Sequence, residues 1–168
     1  MTAPSYVMPN PPSKPLSERK SDWFFVLVFA TFASTSFMWD ATVALGIPLE
    51  HDSGYWPARM LADHYVYMDP LLAANPAWFR VLMIASAFVW GPFYVVLSYA
   101  FAKGKNWIRI PAIMYGSALT FGMAIILGEE FFGTLRTPHP LDFLAFNLPY
   151  KLVPIALIVR MRKPFPFS

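Results

Sequence analysis

Cysteine is absent from this chain, which removes disulfides, thiolate nucleophiles and cysteine metal sites together. Histidine is nearly so: three scattered residues offer no paired ligand spacing, so no metal site is read here. The sequence has no Gly-rich phosphate loop, no nucleophile elbow, no HExxH and no internal repeat, and no cofactor is expected. Charge is scarce as well. Asp, Glu, Lys and Arg make up 14% of the 168 residues and hydrophobic residues 57%, against about 25% and about 45–50% in soluble domains.

What fills the chain instead is apolar length. Four apolar segments stand out, at about 23 to 45, 78 to 102, 109 to 132 and 143 to 161, each long enough for the roughly 20 residues a spanning helix needs. The predicted fold is an all-α membrane protein, a bundle of four transmembrane helices. Residues 1–21 read as a proline-rich tail, with five prolines among the first sixteen residues, 22–163 as the membrane domain and 164–168 as a short C-terminal tail. The tail is expected to be extended or disordered. It is not a cleavable signal, because its basic residues come late and the run after them can cross a bilayer.

The net charge of +3 does not point to nucleic acid, because the basic residues gather at the ends of the apolar runs. Lys14, Arg19, Lys20, Lys103, Lys105, Arg109, Arg160, Arg162 and Lys163, nine of thirteen, fall on one side, while the long connection between the first two segments carries four of the ten acids. Both termini are therefore predicted to be cytoplasmic. Gly91 and Pro92, Gly116, Gly122, Gly128, Pro149 and Pro154 interrupt the segments, suggesting close helix contacts and kinks around an intramembrane pocket.

Polar residues inside these runs are the candidates for chemistry. From Phe24, sixteen uncharged residues lead to Asp40, and a charge in lipid costs on the order of 2.5 to 3.5 kcal/mol at a helix centre, less near its end. Asp40 either reaches the interface or faces the bundle as a desolvated acid that donates a proton or holds a cation. Asp69 precedes a proline, so it either caps a turn or shares a site with Asp40. Lys151 lies about eight residues inside the fourth segment; its alternatives are snorkelling, a salt bridge to Asp40, Glu129 or Glu130, or a ligand contact. Glu129 and Glu130 are expected at the interface. Among the aromatics, most are read as lipid-facing, with some able to line a pocket and stabilise a cation.

From Asp69 onward the chain resembles the EXPERA family, which includes the emopamil-binding protein, a sterol double-bond isomerase, and the sigma-2 receptor. The residues that carry the resemblance are "DPLL" at 69–72, "PAWF" at 76–79, "YAF" at 99–101, "KG" at 103–104, "WIR" with "PAI" at 107–113 and "PY" at 149–150 with Pro154, together with "FMWD" at 37–40 and "WGP" at 90–92. The resemblance implies a lipophilic intramembrane pocket, an endoplasmic reticulum location in eukaryotes and often a homodimer. It also implies that Asp40 and Asp69 are the two acids of the ligand site. The isomerase's working histidine and glutamate fall at Ser36 and Met83, and the receptor's second-helix glutamate at Ser86; Lys151 is a further departure.

The reading reached from the sequence is an isomerase or cyclase for a sterol-like or terpenoid substrate. Asp40 would be its acid or base, Asp69 and Lys151 its supports, and Ser36, Met83, Ser86, Trp90, Tyr94, Tyr115 and Tyr150 its pocket. The alternative is a non-catalytic binder of sterols or amphiphilic amines. The expected partners are a lipophilic small molecule and the bilayer.

Overall fold

The computed structural model describes residues 11–168; the first ten residues of the proline-rich tail expected above lie outside the described residues. Among the described residues four helices are long and apolar enough to cross a membrane: Asp22–Ala44, Ala77–Lys103, Asn106–Phe132 and Pro140–Arg160. Each matches one of the predicted segments to within three residues at either end. Two short helices, Trp56–His64 and Pro70–Ala74, lie in the long connection between the first and second spans, and the described residues contain no strand.

The bundle is two helix pairs, the first span against the second and the third against the fourth. Small residues set how closely they approach. A Cβ on Gly116 would stand 2.9 Å from Ile158 Cγ1 and 3.1 Å from the Pro154 carbonyl, so the third and fourth helices meet there backbone to side chain. Gly91 does the same for the first pair, where a Cβ would come within 3.1 Å of the Phe37 ring. Gly128 has open space around it, and no close contact explains it.

Aromatic residues fill one half of the interior. Phe25, Phe29, Phe32, Tyr94, Phe101 and Tyr115 are buried together, with Phe32 stacked on Tyr150 at 4.3 Å between ring centroids. A second core of Val43, Leu61, Leu71, Phe79, Met123, Ile126 and Phe143 occupies the other half. The outer faces remain apolar, as at Phe121 and Phe132, which suits a lipid solvent rather than water.

The first and second helices each contain a π-helical turn, at Ser36–Asp40 and Ser86–Trp90. In the second helix the π turn ends directly before Gly91 and Pro92, where the proline has no N–H to give to a regular helix. In the first helix no proline is present, and Thr31, Ser34 and Thr35 bond back to carbonyls of the preceding turn, a pattern that bends helices. The two π turns face each other, with Ser36 Oγ 3.4 Å from Ser86 Oγ. Such turns occur disproportionately at functional sites.

At the opposite end both chain termini pack together. The expectation of loose tails does not describe residues from Lys14 on. Lys14 donates its backbone N–H to the Phe167 carbonyl at 2.8 Å, and Phe167 is fully buried between the guanidinium groups of Arg19 and Arg160, 4.9 and 5.3 Å from its ring centroid. Arg160 binds Asp22 through two parallel bonds of 2.8 and 2.9 Å, and Arg19 pairs with the same carboxylate. The aromatic ring and the two cations give the short tails a reason to order.

Candidate functional site

The cavity lies between the two halves of the core and encloses about 130 Å³. Asp40 reaches it because the π turn Ser36–Asp40 rotates the end of the first helix, and Ser86 because the second π turn does the same opposite. Ser36 and Ser86 both donate to Asp40 Oδ2, at 2.8 and 2.6 Å. Both bonds end on one oxygen, and they leave Oδ1 without a protein donor among the described residues. Asp40 is half-buried, and what it is exposed to is the cavity. No Lys, Arg or His lines that cavity.

Around this carboxylate the wall is aromatic and aliphatic: Trp39, Trp90, Tyr94, Phe146 and Tyr150 with Met83, Leu82 and Met123. Two tyrosines are held in place by hydrogen bonds. Tyr150 shares one with Thr35 at 3.1 Å, and Tyr115 donates to Tyr94 at 3.2 Å. Trp39 lies against Tyr65 at 5.2 Å between ring centroids, yet its indole N–H, which is buried, has no partner.

The second acid, Asp69, lines the same cavity and is buried. It stands at the N-terminus of Pro70–Ala74, where the Leu71 and Leu72 N–H groups lie near its carboxyl without a well-formed capping bond. Its neighbour is Glu130, whose carboxyl group interacts with it directly. With both ionised, neither has a hydrogen to offer, and Asp69 Oδ1 and both Glu130 oxygens then have no partner. One proton held between the two removes the conflict. Burial accordingly pushes the Asp69 carboxyl above the usual aspartate range, with Glu130 and the nearby Leu72 and Leu71 N–H groups partly opposing it.

Most of the residues expected from the sequence come together here. Asp40, Asp69, Met83, Ser86, Trp90, Tyr94 and Tyr150 line the cavity, Ser36 stands behind Asp40, and Tyr115 lies behind Tyr94. Lys151 does not join them. It is absent from the cavity wall and makes no ion pair with Asp40, Glu129 or Glu130 among the described residues. It is one residue beyond Tyr150, and a helical step of about 100° carries it off the inward face. Glu130 departs in the other direction: expected at the interface, it is 1% exposed. Glu129 turns outward and accepts the N–H groups of Thr134 and Leu135 at 2.8 and 3.0 Å. Trp39 and Glu130 are the site residues that sequence reasoning missed. The signal available for Glu130 was the adjacent pair of acids ending a span, of which a helix can turn only one inward.

Fold and site together define a four-span α-helical membrane protein with an acid-bearing cavity among its helices. Residues 55–161 match the family model of EBP, described as EXPERA (EXPanded EBP superfamily), and the chain belongs to that family. The sigma intracellular receptor 2 of Xenopus tropicalis is 34% identical over 105 residues, which cover 56% of this chain and 61% of that protein; the match thus spans about three fifths of that relative's length. The protein of the same name from Homo sapiens is 31% identical over 170 residues, covering 90% of this chain and 93% of its own, and that of Macaca fascicularis is 30% identical with the same coverage. Asp69, Ser86, Glu130 and Tyr150 fall within the family match and Asp40 precedes it.

Proposed function

We propose that the cavity binds a lipophilic molecule, sterol-like in its apolar bulk, that carries a protonated amine, and that Asp40 is the counter-charge. The observation that carries this reading is the state of Asp40: two hydroxyl donors on one oxygen, the other oxygen toward the cavity, and no protein cation beside it. A buried carboxylate without a cation is costly, and an ammonium that arrives with the ligand recovers much of that cost. The rings of Trp90, Tyr94 and Tyr150 add a favourable field for a cation at about 0.5 to 2 kcal/mol each. That the relatives are named receptors favours binding. The basic residues at one end of the bundle support cytoplasmic termini, and the family supports an endoplasmic reticulum location in a eukaryotic cell.

A second reading, acid/base isomerisation or cyclisation of a sterol-like or terpenoid alkene, is favoured by one further observation. Asp69 and Asp40 line the same cavity in unlike surroundings, the first against the Glu130 carboxyl and the second held by hydroxyls. The Asp69–Glu130 pair would give a proton to one alkene carbon, and Asp40 would remove one from the carbon next to the cation. The double bond moves and no atom is lost.

One experiment separates the two. Lipophiles that co-purify with wild type and with Asp40→Asn are identified by mass spectrometry and then incubated with each protein. A compound bound by wild type, unchanged with time and lost from the variant supports binding. A compound converted by wild type and only bound by the variant makes Asp40 a catalytic residue. A compound retained equally by both defeats the role given to Asp40 in either reading.

A further inference from the structure

The other end of the bundle holds a second recess, of about 440 Å³, bordered by Lys14, Glu18, Arg19, Arg160, Arg162 and Lys163. Its cations divide into two kinds. Arg19 is used up, with Nε on the Lys14 carbonyl at 2.9 Å, Nη1 on Asp22 and Nη2 on the Phe101 carbonyl at 2.9 Å. Arg160 is used up likewise, by Asp22 and the Pro166 carbonyl. These two hold the wall. Lys14, Arg162 and Lys163 are exposed and make no ion pair among the described residues. Glu18 is the one acid bordering the recess, and the first ten residues of the chain contain no acid that could neutralise it. Counted over side chains, five cations against Glu18 and the buried Asp22 leave three positive charges around a formed concavity.

An apolar strip continues from it. Val159, on the outer face of the fourth span, borders the recess and is exposed. We infer that this recess binds the phosphate headgroup of an anionic phospholipid, with Lys14, Arg162 and Lys163 around the phosphate and the acyl chains running past Val159 along the fourth helix. The match is chemical. Three unpaired cations suit an anionic headgroup, the adjoining apolar helix face suits a chain, and a basic pocket at the membrane-facing end of a spanning bundle places the two at the right depth.

The test is native mass spectrometry of the detergent-solubilised full chain offered equal amounts of phosphatidylserine and phosphatidylcholine, with inorganic phosphate as a competitor. Wild type is expected to retain phosphatidylserine about a hundredfold better, from the attraction of three cations near a membrane surface. The triple variant Lys14→Gln/Arg162→Gln/Lys163→Gln is expected to show a ratio near one. Its three side chains are exposed, so it should unfold where wild type does; if it does not fold, Arg162→Gln/Lys163→Gln with an intermediate ratio serves instead. Equal retention of both lipids by wild type overturns the proposal. So does a preference that survives the substitutions, since it would then come from the surface as a whole. Displacement of the lipid by millimolar inorganic phosphate would make this a free-phosphate site and overturn the lipid assignment.

Discussion

Asp22 and Asp40 stand near the two ends of the same span, and both are carboxylates in a largely apolar chain, but they are held in opposite ways. Asp22 is wholly buried and bound by Arg19 and Arg160 through five-donor guanidinium groups. Asp40 has two neutral hydroxyls and no cation. The first arrangement is complete within the chain and ties its two ends together. The second is incomplete, and its missing charge lies toward a cavity. A buried acid with its own cations is a structural element; on the function proposed above, Asp40 without them is a place for a ligand.

That contrast can be broken by substitution. Asp22→Ala takes the carboxylate from the buried Arg19 and the partly buried Arg160 and should cost about 3 kcal/mol, read as a fall in unfolding midpoint in detergent. A loss below about 1 kcal/mol would mean that the pairing does not hold the termini. Asp40→Asn should behave in the opposite sense, leaving stability within about 1 kcal/mol while lowering affinity for a lipophilic amine by about 1.5 to 3 kcal/mol, the worth of a charged hydrogen bond. Unfolding of Asp40→Asn at the Asp22→Ala temperature would place Asp40 among the structural acids.

The Asp69–Glu130 pair sharpens the comparison through pH. Because the folded-state Asp69 carboxyl titrates above the usual aspartate value, the native chain holds a proton that the unfolded chain has released. Stability is therefore full below the ordinary aspartate range and falls as pH rises through the folded value, by up to about 1.4 kcal/mol per pH unit. Asp69→Asn should flatten that slope; a slope that persists unchanged assigns it to another group. The smallest effect is expected from Lys151→Gln. Since Lys151 neither lines the cavity nor pairs with an acid among the described residues, stability should stay within about 0.5 kcal/mol and amine affinity should not move. A tenfold loss of affinity would return Lys151 to the site.

The spans were legible because apolar runs of bilayer length have few other uses, and Asp40 because a carboxylate in such a run requires a reason. Ser36 and Ser86 entered only as positions where relatives of the family carry other groups, and their role as donors to Asp40 was not visible in them. That role depends on two π turns facing each other, and the one in the first helix has neither proline nor glycine to announce it. The pairing of Asp69 with Glu130 joins residues from a loop and a distant helix end, which no local spacing records. Lys151 misled for a related reason: position along a helix gives depth in the membrane, whereas its facing depends on which neighbour, here Tyr150, takes the inward direction. The basic residues near the ends read as topology signals, and Arg19 and Arg160 are also the clamp on Asp22.

The central claim is that Asp40 supplies the counter-charge for a cationic lipophile, and the direct measurement is the affinity of one tertiary amine and of its uncharged carbon isostere for wild type and Asp40→Asn. The account predicts that wild type prefers the amine by about tenfold to a hundredfold, as expected for a charged hydrogen bond, and that the variant binds both compounds alike. Equal binding of the two compounds by wild type, or a preference retained in Asp40→Asn, would contradict it.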